Sequence, residues 1–298
     1  MKKAIIAIVL ILVLGILGYL FVYPYNYQVN FEAKTNPGTL NQSIKSWNSS
    51  LENGEIIAQD GWEHLEQKIV QGDSTYIYTW DITPINDSLS KVKVRIDDKE
   101  NDLPLKLAVP FKKTDFEIRT KATVKEFFDL MNSHLDEIRV TIDGKSITPA
   151  TYVAYVPLKG LQIEKARGMM QYYSLLTNRM IKYDVELNGP PFVEVTEWNT
   201  KTDSIHYNFC FPIKYAKDLP EDPIIKYKRI TSKEAIKATY NGNYITSDRA
   251  WYALLQYAED NNLEVEKTPL ESFFNNPNMG GDELNWRADI YMPLKAKE

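Results

Sequence analysis

The sequence predicts an α+β protein in which an N-terminal transmembrane helix precedes two domains built on antiparallel sheets. Three observations support this prediction. The N-terminus is an uncharged run, alternating apolar and polar residues mark several short strands, and the second half of the chain contains an internal repeat. With 44% apolar and 12% aromatic residues among 298, the chain has enough apolar surface to form large cores.

Charge and ligand chemistry exclude several classes of function. The chain has 35 Lys and Arg against 40 Asp and Glu, a net charge of −5, and it lacks the clustered basic residues that bind nucleic acid. Its single cysteine, Cys210, excludes an intrachain disulfide and a multi-cysteine metal site. We therefore expect no nucleic-acid partner, no metal site and no cofactor.

Residues 1–24 are predicted to form a membrane anchor. Residues 4–22 carry no charge and, as a helix, would be about 28 Å long, close to the roughly 30 Å hydrocarbon core of a bilayer. Lys2 and Lys3 precede this run, so the positive-inside rule predicts a single-pass protein of the cell membrane with both domains on the extracytoplasmic side. The leader is typical of a bacterial protein. A cleaved signal peptide is the alternative, but this run ends in bulky aromatic residues rather than small ones.

Residues 25–145 form the first predicted domain. Residues 26–32 alternate between polar and apolar side chains, as in a half-buried strand, and residues 40–47 have the apolar spacing of a short helix. Three strand-like runs follow, at 68–70, 75–80 and 91–96. Residues 124–138 then place their apolar side chains on one face of a long helix, and Asp143-Gly144-Lys145 is predicted to be the turn that leaves the domain.

This element order, with the opening YNYQVNFEAKTNPGTLNQSIKSWN, resembles the SRPBCC (START-like, polyketide-cyclase-like) domains over residues 25–142. The resemblance implies a helix-grip fold, in which the sheet wraps the last helix around a lipophilic cavity. No catalytic motif accompanies it.

Residues 148–296 form the second predicted domain and contain two similar units, at about 148–214 and 224–296. The aligned pairs are Tyr173 with Tyr252, Pro190 with Pro269 and Pro212 with Pro293. Each unit has an amphipathic helix followed by strands with period-two alternation, so we expect two strand–helix–strands units in this domain.

The segments ATYNGNYITSDRAWYALLQYAEDNNLEVEKTPLESFFNNP (238–277) and WRADIYMPLK (286–295) resemble the GyrI-like domain, also called the AraC effector-binding domain. The resemblance implies two repeats with paired antiparallel sheets and a groove that binds a small lipophilic or cationic molecule, which some members hydrolyse. In this family the last strand carries a glutamate in the groove, as a counter-charge for a cation or as an acid/base. Asp289 stands at that position and is one methylene shorter.

The candidate ligand-binding residues are Asp289, Tyr291, Trp251, Tyr155, Tyr240, Trp198 and Phe209. Aromatic faces attract cations, although core packing is the alternative for at least half of these rings. Asp289 alternates with apolar neighbours, so it lies either in the groove or on a solvated face. Cys210 is predicted to be a buried small hydrophobe. Glu194 and Glu271 are predicted at solvated strand edges, with a second acid in the groove as the alternative.

Two functions are compatible with these patterns. The first is a membrane-anchored protein that binds a small lipophilic or cationic molecule in the aromatic groove, with no known protein partner. The second is a hydrolase in which Asp289 and Tyr291 act as acid and base on a small lipophilic molecule. A hydrolase needs the carboxylate and the phenol within hydrogen-bond reach of one another, whereas a binding protein needs only the aromatic cleft.

Overall fold

The computed structural model describes residues 2–296, and the chain divides into two compact units between Asn132 and Ser133. Each unit contains helices and one antiparallel sheet, so the predicted α+β class with antiparallel sheets is correct.

The first unit is built on a five-stranded sheet in the order β1-β5-β4-β3-β2. Its elements are α1 (Lys2–Phe21), β1 (Tyr27–Ala33), α2 (Pro37–Ser50), β2 (Gly54–Asp60), β3 (His64–Gln71), β4 (Ser74–Asn86), β5 (Leu89–Asp98), α3 (Asp102–Ala108) and α4 (Asp115–Asp136), the last of which continues past residue 132.

Aromatic packing joins the helices of this unit to its sheet. Helix α2 begins at a cap in which the Asn36 side chain accepts a hydrogen bond from the Thr39 amide at 2.9 Å. The ring of Trp80 in β4 lies 6.3 Å from that of Trp47 in α2 and 5.0 Å from that of Phe127 in α4. All three rings are buried, so these contacts form the centre of the core.

The predicted membrane anchor is wrong. Within residues 2–296, no helix combines the length and the apolarity that crossing a membrane requires. Helix α1 runs from Lys2 to Phe21. The transmembrane helix at residues 4–22 is therefore removed from the predicted fold class.

The second unit is built on an eight-stranded sheet in the order β10-β7-β9-β8-β12-β13-β11-β6. Its elements are β6 (Arg139–Ile147), β7 (Thr151–Leu161), α5 (Lys165–Lys182), β8 (Phe192–Asn199), β9 (Ser204–Ile213), β10 (Lys226–Ile230), β11 (Glu234–Asn241), α6 (Arg249–Asp260), β12 (Leu270–Phe273) and β13 (Arg287–Pro293), with short 3-10 helices at Gln162–Glu164, Tyr244–Thr246, Pro277–Met279 and Glu283–Asn285.

The two repeats have the same order of elements. Strand β7 leads through a 3-10 turn into α5 and then into β8 and β9, and β11 leads in the same way into α6, β12 and β13. Tyr173 and Tyr252 lie in the two equivalent helices, and Pro212 and Pro293 lie at the ends of the two equivalent last strands. The repeats meet where β8 pairs with β12 at the centre of the sheet.

One face of this sheet, called the helix face below, is covered by α5 and α6. The Tyr173 ring of α5 lies 5.4 Å from that of Phe211, and Trp251 of α6 donates a hydrogen bond to the carboxylate of Glu271. Because side chains alternate along a strand, the neighbours of Phe211 and Glu271 point to the other side, called the opposite face below.

Strand β6 belongs to the second unit, although the sequence analysis ends the first domain at residue 145. It pairs with β11 from Arg139↔Asn241 to Ile147↔Glu234. Its register shifts beside Asp143, and Gly144 has a φ of 89°, a conformation that favours glycine. The Asp-Gly pair therefore forms a β-bulge inside a continuous strand rather than a turn between domains.

Candidate functional site

A cavity of about 310 Å³ lies on the helix face where the two repeats meet. Its walls come from α5, from the two prolines that precede β8, from β9, from the 3-10 helix Tyr244–Thr246 and from the segment that follows β12. We call this cavity the aromatic pocket. Its aromatic lining residues are Tyr173, Phe209, Tyr244, Phe273, Phe274 and Trp286.

The rest of the aromatic pocket is lined by aliphatic, sulfur and amide groups. Ala166, Met169 and Met170 line it from α5. The amide side chains in the lining are those of Asn243, Asn275, Asn276 and Asn278. None of the residues that line the cavity is charged. Such a lining suits an apolar ligand that is oriented by a few hydrogen bonds.

Helical spacing explains the contribution of α5. Ala166, Met169 and Tyr173 recur at intervals of three and four residues, so they share one side of the helix. The Phe211 ring supports Tyr173 from β9, which holds the phenol at the pocket wall.

The other wall is fixed by Tyr244. Its hydroxyl donates to the Arg287 carbonyl at 2.7 Å and accepts from the Asn275 amide at 3.1 Å. Burial raises the pKa of Tyr244 to about 12, although hydrogen bonds from the backbone oppose this shift. The rings of Phe273 and Trp286 lie 4.8 Å and 6.0 Å from the Tyr244 ring. This wall is therefore rigid and uncharged at neutral pH.

A fully buried ion pair adjoins the aromatic pocket. Lys165 precedes Ala166 of the lining, and its ammonium lies 2.6 Å and 2.5 Å from the two carboxylate oxygens of Glu271. Both side chains have 0% exposure. The prediction of a solvated strand edge for Glu271 is wrong, because the residue points to the helix face, beneath α6.

The predicted acid of the last strand lies on the opposite face. Asp289 is 5% exposed, so it is not on a solvated face. Its carboxylate accepts hydrogen bonds from Arg287 at 2.9 Å and 3.0 Å, and its Oδ2 lies 3.0 Å from the Lys237 ammonium. Two cations of the chain thus already balance its charge. This arrangement favours a structural role over proton transfer to a ligand.

Tyr155 and Tyr291 also lie on the opposite face, where both pack against one apolar cluster. That cluster consists of Val153, Phe192, Cys210, Ile230 and Leu270. Burial raises the pKa of the Cys210 thiol well above its ordinary value, which agrees with the prediction of a buried small hydrophobe. Glu194 is paired there with Lys228 and accepts a hydrogen bond from Asn208 at 2.7 Å.

The remaining predicted site residues lie on the helix face. The Trp251 ring packs edge to face with that of Trp198 at 5.0 Å, and the Tyr240 hydroxyl donates to the Asn243 carbonyl at 2.8 Å. Burial raises the pKa of Tyr240, and the hydrogen bond with Thr246 opposes the shift. The structure therefore separates these three rings from Asp289, Tyr291 and Tyr155. Of the predicted residues, Phe209 lines the aromatic pocket.

Tyr244 is not among the predicted site residues, although the sequence around it contains a local signal. Asn243 accepts a hydrogen bond from the Ile245 amide at 3.0 Å, so the Gly-Asn-Tyr sequence starts the 3-10 helix that carries Tyr244.

Among the residues that the structure describes, no cluster of three His, Cys, Asp or Glu side chains is placed to hold a metal ion.

Comparison with known proteins assigns the second unit to a family. Residues 148–295 match the model of the GyrI-like small molecule binding domain. This part of the chain is a GyrI-like domain. No curated protein matches the chain, and the proposed SRPBCC resemblance of the first unit is not supported by any family match. The GyrI-like domain contains both repeats and the whole lining of the aromatic pocket.

Solved structures with likeness to the GyrI-like domain share little sequence with it. The C-terminal domain of EcmrR is 17% identical, with 54% of this chain and 99% of that chain covered and a TM-score of 0.44. SAV2435 bound to tetraphenylphosphonium is 9% identical, with 54% and 94% covered and a TM-score of 0.35. A hydrolase from Listeria innocua is 11% identical, with 53% and 92% covered and a TM-score of 0.33.

Proposed function

We propose that the GyrI-like domain binds a lipophilic small molecule in the aromatic pocket between its two repeats. The observation that supports this most is the lining, which combines six aromatic rings and two methionines with no charged group around a cavity of about 310 Å³. Burying apolar ligand surface there contributes roughly 25 cal/mol per Å². The side-chain amide of Asn278 in the lining offers directional contacts to such a ligand.

The proposal is tested with 1,6-diphenylhexatriene, an uncharged apolar dye whose fluorescence rises when it leaves water. Met170 lines the aromatic pocket and is 61% exposed, so replacing it should not disturb the core. In Met170→Glu the new carboxylate must lose water when an apolar ligand binds beside it. We expect the affinity of the dye to fall at least about tenfold, or about 1.4 kcal/mol.

Ile181 supplies the matched control. It lies on the same helix, is 73% exposed and does not line the aromatic pocket. Ile181→Glu introduces the same carboxylate on the same helix but outside the aromatic pocket, so its dye affinity should equal that of the wild type. Equal affinities for the two variants would place the dye elsewhere and contradict the proposal.

A further inference from the structure

Lys165 is held by groups that together have the chemistry of a site for an organic cation. Its ammonium contacts both oxygens of Glu271, donates to the Ser247 hydroxyl at 2.8 Å and lies 4.8 Å from the centroid of the Trp251 ring. A carboxylate, a hydroxyl and an indole face are the groups that recognise an ammonium ion.

The acid of this site is itself fixed in place. The Trp251 indole donates to Oε1 of Glu271, and the Ser247 hydroxyl lies 2.9 Å from Oε2. The same hydroxyl lies 3.0 Å from the Tyr244 carbonyl, so its one proton is donated either to this carbonyl or to Glu271. The proximity to Tyr244 places the site next to the pocket wall. We call Glu271, Ser247 and Trp251 the cage. Because Trp251 and Ser247 hold the carboxylate, the geometry of the cage does not depend on Lys165 alone.

Local preferences do not explain a lysine at this position. Lys165 is the first residue of α5, where the positive end of the helix dipole disfavours a cation. Its side chain is also fully buried, which is rare for lysine unless it is paired. The contacts with the cage are what hold it there.

Two residues of the cage, and Lys165 inside it, lie close in the chain to residues that line the aromatic pocket. Lys165 precedes Ala166, and Ser247 and Glu271 lie three and two residues from Tyr244 and Phe273 of the lining. A cationic ligand in the aromatic pocket would meet no free acid here, because Lys165 already neutralises Glu271.

We propose that Lys165 fills, from within the chain, a cation site made by Glu271, Ser247 and Trp251, and that the domain therefore selects uncharged lipophilic ligands over organic cations. The selectivity part rests on the proposed function of the aromatic pocket. The filled cation site does not, and each part has its own measurement.

The cation site is tested by restoring the deleted part of the side chain. Lys165→Ala removes three methylenes and the ammonium, which n-propylammonium can replace in size and charge. We expect the variant to melt below the wild type, and saturating n-propylammonium to raise its melting temperature by about 3 °C or more. The isosteric alcohol 1-propanol should raise it less, and the wild type should respond to neither.

The double variant Lys165→Ala/Glu271→Gln is the control for charge. It keeps the cavity but removes the carboxylate, so n-propylammonium should no longer act differently from the alcohol. If Lys165→Ala does not fold alone, addition of n-propylammonium must restore its circular dichroism spectrum. The absence of any ammonium-specific stabilisation or refolding would overturn the cation site.

Selectivity is measured with a matched pair of dyes, diphenylhexatriene and its trimethylammonium derivative. The wild type should bind the neutral dye at least about tenfold more tightly, and Lys165→Ala should lose this preference while the double variant regains it. Equal preference in all three proteins would overturn the selectivity. If the wild type binds neither dye, the proposed function fails, and the rescue by n-propylammonium still decides on the cation site.

Discussion

Buried ionisable side chains in the second unit differ in whether the chain supplies them with partners. Lys165 and Glu271 are fully paired, whereas the Nε2 atom of His134 is buried and has no hydrogen-bond partner. Burial lowers the pKa of His134 from 6.5 to about 4, and the positive charge of Arg249 adds to the shift while Asp248 opposes it. The folded chain therefore keeps this imidazole neutral.

This shift makes the stability depend on pH. Between pH 6.5 and about pH 4 the unfolded chain protonates His134 and the folded chain does not, so the free energy of unfolding falls as the pH is lowered. The loss reaches about 3 kcal/mol below pH 4. Urea unfolding at pH 7 and pH 4 should show a smaller loss for His134→Gln than for the wild type, because titrating carboxylates act equally in both. His206→Gln, a change at an exposed histidine, should behave like the wild type.

Residue patterns predicted which side chains share a face but not what covers that face. Asp289 and Tyr291 were expected to lie side by side, and they do. Trp251 and Tyr240 were expected beside them and lie on the helix face instead. Along β13 one alternating set is apolar and the other combines Asp289 with the Tyr291 ring, and the sequence does not show which set faces a ligand groove. The burial of Glu271 was not predicted either, because its partner Lys165 is far away in the sequence.

At the scale of elements, helix α5 lies so close to β9 at Gly168 that no larger side chain fits there. A Cβ atom added to Gly168 would lie 2.1 Å from the hydroxyl of Tyr207 and 3.3 Å from Leu158. Tyr207 is buried, and its hydroxyl donates to the Lys165 carbonyl at 3.4 Å, so the phenol has little room to move. The glycine thus sets the distance between the helix and the sheet.

Gly168→Ala should therefore destabilise the protein, although alanine favours helix by about 1 kcal/mol. We expect a net loss of about 1–3 kcal/mol in the free energy of unfolding, measured with urea. Adding Tyr207→Phe removes the clashing oxygen, so the double variant should recover most of the loss that Gly168→Ala causes in the wild-type background. Additive losses would show that the Tyr207 hydroxyl is not the obstacle.

The elements themselves followed from the sequence to different degrees. The duplicated pattern around Tyr173 and Tyr252 predicted two strand–helix–strands units, because a repeat shows the same periodicity twice. Most of strand β6 was predicted to belong to the first domain rather than the second, because Asp143-Gly144 has the composition of a turn. The β-bulge observed here has a positive φ at Gly144, as a turn would, and only the pairing with β11 distinguishes the two.

At the scale of the whole molecule, the boundary between the units falls before β6, and this has a measurable consequence. Residues 133–298 contain every strand of the eight-stranded sheet and the whole aromatic pocket. A chain limited to residues 148–298, where the family match begins, lacks β6 and leaves β11 as an unpaired edge. It also loses the ion pair of Asp143 with Lys237.

We expect the chain of residues 133–298 to fold alone and to bind diphenylhexatriene as tightly as the full chain does. The chain of residues 148–298 should unfold with at least about 3 kcal/mol less free energy, because it forfeits several backbone hydrogen bonds. It should also associate through the exposed edge of β11. Urea unfolding and size-exclusion chromatography of the two chains provide the measurement. Equal stability and equal elution as monomers would show that β6 is dispensable and that the unit begins at residue 148.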